Sequence, residues 1–296
     1  MKLTVVGSIN LDFVASAPSL PRAGETVTGA TLARHPGGKG ANQALAAQRL
    51  GADVCLIGRV GRDAMAEEAM SLLLADDVDI GGVLADPEAP TGVALIAVDP
   101  EGENQIVVAA GANHHAFPEQ LPQRIEGPLI VQLELPIETV EAAVGRATDF
   151  VCVNLAPAAP VSDQLLRRAD LLVVNETEAA FYGDLLHHGG GRVVVTQGAR
   201  GAVMYQRGVQ TAWATPPTVR AVDATGAGDC FVGAIVVALL EGRSADDALA
   251  FACAAGALAA TRPGAQPSLP TRAEVDALLA DPLGVLGFGE GEGSPS

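Results

Sequence analysis

Short apolar runs alternate with helical patterns along most of the chain. Buried parallel strands have such short, nearly continuous apolar runs, while amphipathic helices repeat apolar residues every three or four positions. The predicted strands are 3–6, 54–57, 129–133, 150–153, 171–174 and 193–196, and the predicted helices include 41–50, 64–74, 137–147 and 163–168. This alternation predicts an α/β fold with a doubly wound, mostly parallel sheet flanked by helices. Ligands of such sheets bind beyond the carboxyl ends of the strands.

Two segments, 13–34 and 92–110, depart from this pattern, with short alternating runs, turn residues and little helical character. Within the second, 92–98 and 105–109 flank Asp99-Pro100-Glu101-Gly102, which predicts a β-hairpin. We expect both segments to form a small β-sheet lid over the site; two separate surface hairpins are the alternative. The predicted domains are an α/β core of 1–12, 35–91 and 111–286, the lid, and a disordered Gly-, Glu- and Ser-rich tail, 287–296.

Composition narrows the classes of function. The chain has 296 residues, 49% of them hydrophobic, which permits a large core without covalent cross-links. A net charge of −17 argues against binding nucleic acid or an anionic membrane. Because this charge also repels a nucleotide, any phosphate site must be formed by nearby backbone amides, metal ions and a few cationic side chains. The four cysteines form no C-x-x-C pair, and Met1-Lys2 leads directly into a strand-like run. We therefore expect a cytoplasmic protein without signal peptide or membrane span.

The most specific motif is Asp223-Ala224-Thr225-Gly226-Ala227-Gly228-Asp229, which precedes an apolar segment predicted as a helix over 229–241. Small residues allow a tight turn, and a helix beginning there directs free N–H groups at a ligand. The amides of Gly226, Ala227 and Gly228 could stabilise phosphate charge, while Asp229 accepts a proton from an attacking hydroxyl. An ordinary loop capped by aspartate is the alternative. The motif favours phosphoryl transfer.

A second motif is Gly37-Gly38-Lys39-Gly40-Ala41-Asn42-Gln43. Lys39 is the only lysine besides Lys2, so a sequence that otherwise uses arginine has an ammonium here. A surface lysine without function is the alternative. G-x-x-x-x-G-K-[ST] is absent, which argues against a P-loop. G-x-G-x-x-G is absent as well, which makes a dinucleotide-binding site a less favoured interpretation.

Polar residues also follow several predicted strands, where a ligand site is expected. Asn10 and Asp12 could bind sugar hydroxyls, or could serve only the local turn. Asn175 and Glu178 could hold Mg²⁺ through waters, or could form an ordinary helix N-terminus. Glu134 likewise follows a predicted strand.

Together these motifs resemble the ribokinase family of sugar and nucleoside kinases from end to end of the chain. The matching segments are 7–12, 21–29, 37–43, 91–112, 132–136, 175–178, 196–201 and 223–229. The form Gly-Gly-Lys-Gly-Ala-Asn resembles the branch that phosphorylates ribose rather than the fructokinase or adenosine kinase branches. Two positions depart from the pattern: Ala199 replaces a common serine, and Cys253 stands where relatives often place Asn or His near the adenine.

The resemblance implies a role for each matching residue. The sugar would be bound by Asn10, Asp12, Gly38, Lys39, Asn42 and Glu134, with Asp229 as general base. The nucleotide site would include Asn175, Thr196, Gly198, Ala199, Gly201, Gly228 and Cys253, with Glu178 holding Mg²⁺ through water. A monovalent cation, usually K⁺, would be held by Asp223, Thr225, Ala259, Arg262, Gly264 and Ser268. The resemblance also implies ATP as co-substrate and a homodimer formed through the lid.

The expected reaction is therefore phosphorylation of D-ribose at O5 by ATP. Three alternatives remain open at this point. The acceptor could be deoxyribose, another sugar or a nucleoside; the protein could be a non-catalytic sugar-binding sensor; or, least favoured, it could be a dehydrogenase.

Overall fold

The computed structural model describes residues 1–281, and within them lie thirteen strands and eight α-helices. The strands are β1 (Lys2–Val6), β2 (Asn10–Ser16), β3 (Thr31–Gly37), β4 (Asp53–Gly61), β5 (Asp79–Asp86), β6 (Gly92–Val98), β7 (Asn104–Ala109), β8 (Leu129–Gln132), β9 (Val151–Asn154), β10 (Leu171–Asn175), β11 (Arg192–Thr196), β12 (Ala202–Gln206) and β13 (Val209–Ala214). The helices are α1 (Lys39–Arg49), α2 (Ala64–Ala75), α3 (Ile137–Arg146), α4 (Asp163–Arg168), α5 (Glu176–Tyr182), α6 (Ala227–Leu240), α7 (Ala245–Ala259) and α8 (Arg272–Ala280).

A nine-stranded sheet forms the centre of the fold, in the order β13-β12-β11-β10-β9-β8-β1-β4-β5. Its strands pair in parallel from β11 to β5, and β12 pairs antiparallel with both of its neighbours. Helices cover both faces: α1, α2, α6, α7 and α8 contribute to one buried apolar cluster, and α3, α4 and α5 to the other. The predicted fold class is confirmed.

Burial on both faces explains the apolar runs of the central strands. Every residue of β8 and of β9 is buried, as expected where parallel strands have helices on either side. None of the helices in residues 1–281 is both long and apolar enough to cross a membrane.

A separate four-stranded sheet, the small sheet, has the order β3-β2-β6-β7. β2 and β6 pair in parallel, and the outer pairs are antiparallel. The pairing includes 10–12 and 35–37, so the small sheet extends beyond the segments that we predict as the lid. The division into core and lid stays a prediction. The predicted tail, 287–296, and the last predicted core residues, 282–286, lie outside the described residues.

Candidate active site

A cavity of about 1100 Å³ lies between the small sheet, the beginning of α1 and the beginning of α6. It is lined by all the residues predicted to bind the sugar or act as base: Asn10, Asp12, Gly38, Lys39, Asn42, Glu134 and Asp229. Parts of the 221–226 and 263–264 loops complete the lining. The fold thus brings together residues that are far apart in the sequence.

The beginning of α1 is fixed tightly against the segment that joins β1 to β2. Gly38, the residue before the helix, has φ 89°, and a Cβ there would lie 2.7 Å from the amide nitrogen of Asn10. Only glycine fits this backbone conformation and this close approach. Glu134 fixes the same turn, because its Oε2 accepts hydrogen bonds from Ser8 Oγ at 2.6 Å and from the Lys39 amide at 3.1 Å.

Asp229 lies in the first turn of α6 and is only 7% exposed. The helix begins at Ala227, before the predicted start at Asp229, because Gly226 adopts the left-handed conformation with φ 77° and turns the chain into it. Asn42 Nδ2 donates to Asp229 Oδ2 at 2.8 Å, and Gln43 Nε2 donates to Oδ1 at 2.9 Å. Both carboxylate oxygens are therefore held by side chains of α1.

The amides of the predicted anion turn are not equivalent. The Ala227 amide donates to the carbonyl of Ala224 at 3.1 Å, so the turn itself uses it. The amides of Gly226 and Gly228 donate to no backbone carbonyl of residues 1–281. Two of the three predicted donors are thus available to an anion at the beginning of α6.

The cavity concentrates negative charge around one ammonium group. Burial, together with the charges of Glu134 and Asp229, raises the pKa of Asp12 to about 7. The pKa of Lys39 is raised mainly by the charge of Asp229, with Glu134 and Glu178 adding to it and burial opposing it. The Lys39 ammonium therefore remains protonated and offsets the charge of the surrounding carboxylates.

Asn175 and Glu178 form a capping box at the beginning of α5. Glu178 N donates to Asn175 Oδ1 at 2.9 Å, and Asn175 N donates to Glu178 Oε2 at 2.8 Å. Asn175 and Glu178 thus form an ordinary helix N-terminus, which was the alternative to Mg²⁺ binding. The capping box uses one oxygen of each side chain. Burial raises the pKa of Glu178, although the Asn175 amide and Lys39 act in the opposite direction.

The other predicted nucleotide residues lie outside the lining of the cavity. Thr196 ends β11, and Gly198 and Ala199 lie in the short helical turn that follows. Gly201 and Cys253 both contact Ala214 at the end of β13, and the Cys253 Sγ lies 3.7 Å from its carbonyl oxygen. Burial raises the pKa of Cys253 to about 11, so this residue is a protonated, buried thiol.

The residues predicted to hold the monovalent cation lie where the loop before α6 meets the loop after α7. Asp223 accepts hydrogen bonds from the Thr225 amide at 2.9 Å and the Gly264 amide at 2.8 Å. Ser268 Oγ donates to the Ala265 carbonyl, the Arg262 side chain pairs with Glu274, and Ala259 is fully buried at the end of α7. Burial raises the pKa of Asp223, but the hydrogen bonds lower the pKa by more. The net effect is a lowered pKa, so the carboxylate is ionised.

This arrangement fits a large, weakly charged cation better than a transition metal. In the part of the chain that the structure describes, no group of three or more His, Cys, Asp or Glu is placed to hold a metal ion. Each oxygen of Asp223 accepts one amide hydrogen bond, and its remaining lone pairs could bind a cation.

Sequence reasoning missed several polar residues behind the cavity. Asn113 is 1% exposed; its Nδ2 donates to Asn10 Oδ1 at 2.8 Å, and its Oδ1 accepts from the Ile9 amide at 2.9 Å. Gln43, Gln132 and Asn154 are also buried, and Gln43 is bonded to both of the others. A glutamine within the small, apolar residues of α1 was the available signal for Gln43. Asn113 gave none, because it lies in a 3₁₀ helix of only five residues, which is too short to show apolar periodicity.

Residues 1–272 match the pfkB family carbohydrate kinase, and the chain belongs to this family. It is 38% identical to a ribokinase of Haemophilus influenzae, over 92% of this chain and 96% of that protein. It is also 30% identical to a deoxyribokinase of Salmonella typhi, over 92% of this chain and 96% of the relative.

Solved structures give the same result. A ribokinase of Thermotoga maritima superposes with a TM-score of 0.85 at 31% identity, covering 94% of this chain and 99% of that one. An Arabidopsis thaliana ribokinase complexed with ribose and ATP superposes with a TM-score of 0.80 at 30% identity, covering 94% of this chain and 98% of that one.

Proposed function

We propose that this protein transfers the γ-phosphoryl group of ATP to O5 of D-ribose, giving D-ribose 5-phosphate and ADP and feeding ribose into pentose phosphate metabolism. The observation that carries the proposal is the position of Asp229. It stands at the beginning of α6, with two unengaged amides beside it, and faces the cavity that all the predicted sugar ligands line. The ribokinases at 31–38% identity support ribose as the acceptor.

Asp229 is the proposed general base. As the bond between O5 and the γ-phosphorus forms, the bond from that phosphorus to the bridging oxygen of ADP breaks, and the hydroxyl proton passes to Asp229. The amides of Gly226 and Gly228 stabilise the charge on the transferring group, and that of Ala227 joins them if the turn releases it.

The polar side chains around the cavity are the proposed sugar ligands. Asn10, Asp12 and Asn42 offer carboxamide and carboxylate groups to neighbouring hydroxyls, and Lys39 offers a donor that cannot also accept. Asn42 has one buried oxygen, Oδ1, without a partner among the described residues, and a sugar hydroxyl would satisfy it. Gly38 and Glu134 hold the beginning of α1 in place for these contacts.

ATP is the proposed co-substrate, bound beyond the carboxyl ends of β10 and β11 by the predicted nucleotide residues. Glu178 keeps one carboxylate oxygen outside its capping box, which suits a water-mediated contact to Mg²⁺. Mg²⁺, when bound, neutralises charge on the phosphates. K⁺ is the proposed activator at the loop junction where the ionised carboxylate of Asp223 lies.

A homodimer through the small sheet is also proposed. Leu32, Leu95 and Val107 are each more than half exposed on one face of this sheet and make an apolar surface that a second copy could cover, whereas Ile106 and Val108 lie on the opposite face, which lines the cavity. The proposed location is the cytoplasm, which four free cysteines support.

The test is ADP release with ATP, Mg²⁺ and K⁺ against ribose, deoxyribose, fructose and ribonucleosides. We expect the highest kcat/KM with ribose. A preference for deoxyribose would move the assignment towards the deoxyribokinase relative, and failure to transfer phosphate to any acceptor would indicate a sugar sensor. Equal rates in K⁺ and in a large organic cation would contradict K⁺ activation.

A further inference from the structure

A chain of buried carboxamides leads from the central strands to Asp229. Gln132 Nε2, at the end of β8, donates to Gln43 Oε1 at 2.7 Å. Gln43 Nε2 in turn donates to Asn154 Oδ1 at 3.0 Å and to Asp229 Oδ1 at 2.9 Å. Gln43 and Gln132 are fully buried, and Asn154 is 6% exposed. None of the three has a part in the function proposed above.

A backbone carbonyl fixes the direction of this chain. Asn154 Nδ2 donates to the carbonyl oxygen of Val173 at 3.1 Å, and a carbonyl oxygen can only accept. Asn154 must therefore turn its own oxygen towards Gln43, so Gln43 must present its amino group. A flipped Gln43 would set its oxygen against two other acceptors in a buried site, where unpaired polar groups are costly. Gln43 is thus held as a donor to Asp229.

We propose that Gln43 is a positioning residue for the base, an inference that rests on the proposed function of Asp229. Gln43 holds Oδ1 of Asp229 and Asn42 holds Oδ2, so the carboxylate cannot rotate out of line with the sugar hydroxyl. Asn42 lines the cavity, whereas Gln43 does not. An effect of Gln43 on turnover must therefore pass through Asp229 and not through a contact with sugar.

The test is a steady-state comparison of Gln43→Met, Gln132→Met and wild type with ribose and ATP. Gln43→Met keeps the length of the side chain and removes both donors. We expect kcat to fall about 10- to 100-fold, as for other misplaced reacting groups, with the ribose KM changed by less than about threefold. Gln132→Met is the matched control, because it removes a buried glutamine of the same chain that does not touch Asp229. Its kcat should stay within about threefold of wild type.

A second variant and a double mutant keep the test decisive. Gln43→Glu preserves shape and the acceptor for Gln132 but faces Asp229 with a carboxylate, so its kcat should fall at least as far. In an Asp229→Ala background, Gln43→Met should have no further effect, because no carboxylate remains to be positioned.

Several results would overturn the proposal: a Gln43→Met kcat within threefold of wild type, equal losses in Gln43→Met and Gln132→Met, or additive losses in the double mutant. Thermal melting shows whether the variants fold. If neither Gln43 variant folds, Gln43 is a core residue only. Substantial turnover by Asp229→Ala alone would instead refute the base itself, which separates the two failures.

Discussion

The sugar half and the nucleotide half of the site use polar side chains differently. In the sugar half, around the cavity, Asn42 and Gln43 are buried and both donate to Asp229, which lies 187 and 186 positions further along the chain. In the nucleotide half, at the ends of β10 and β11, Asn175 and Glu178 are bonded to each other's backbone in a local capping box. We therefore expect buried side chains to position the sugar and the base, and local main-chain groups to contribute more in the proposed nucleotide half. Substitutions in the sugar half should have the larger effects.

The largest effect is expected from Asp229→Ala. Removing the proposed base should lower kcat by about 10²–10⁴-fold, the usual contribution of a positioned proton acceptor. Steady-state kinetics with ribose measures this loss. The control is Asp184→Ala, which changes an exposed aspartate that does not line the cavity and should match wild type. If Asp229→Ala kept more than about a tenth of the turnover, Asp229 would not be the base.

Asn113→Asp tests the support behind the sugar ligands. The variant keeps the shape and the acceptor for the Ile9 amide but loses the donor to Asn10 Oδ1 and to the carbonyls of Ile9 and Ala110. Because Asn10 loses its buried donor, the ribose KM should rise by about 5- to 30-fold, with a smaller change in kcat, and the acceptors left unpaired should also lower the melting temperature. Isothermal titration with ribose provides an independent measurement. Unchanged ribose affinity with a lowered melting temperature would make Asn113 purely structural.

How far the sequence predicts this molecule depends on whether the signal is local. Helix α4 matches its predicted bounds of 163–168, because the signals for it lie within a few residues. The two edge strands, β5 and β13, and β12 beside the second edge have no counterpart among the predicted strands; β5 contains two adjacent glycines, and β13 is exposed over much of its length. The bond between Gln43 and Asp229 joins residues 186 positions apart, and only the packing of α1 against α6 creates it.

Asp12→Asn should change stability in a pH-dependent way. The pKa of Asp12 is about 7 in the folded protein against an ordinary 3.8, so between these values the folded state holds a proton that the unfolded state releases. Stability is therefore lost as pH rises towards 7, and above 7 the buried charge destabilises the fold in full. The asparagine variant avoids this loss and should have a higher melting temperature at pH 8, by about 2–4 °C for each kcal/mol of destabilisation removed. At pH 4 the melting temperature should change little.

Differential scanning calorimetry at the two pH values measures this difference. The same variant should bind ribose more weakly, because it lacks the carboxylate that accepts from hydroxyls. An equal change in melting temperature at pH 4 and pH 8 would show that Asp12 is not the titrating group.

The smallest effect is expected in the nucleotide half, from Cys253→Ala. The thiol is buried, protonated and bonded only weakly to the Ala214 carbonyl. Because a thiol is a weak donor, the KM for ATP should change by less than about threefold. A tenfold rise in that KM, with ribose KM unchanged, would give Cys253 a direct part in nucleotide binding and would remove the contrast between the two halves.

The most direct test of ribose phosphorylation is to identify the product by ³¹P and ¹H NMR after incubation of the protein with ribose, ATP, Mg²⁺ and K⁺. We predict D-ribose 5-phosphate in equal amount to ADP, with the phosphorus coupled to the protons on C5. Phosphate on another ribose oxygen, or ADP formed equally well without ribose, would contradict the assignment of Asp229 to the primary hydroxyl.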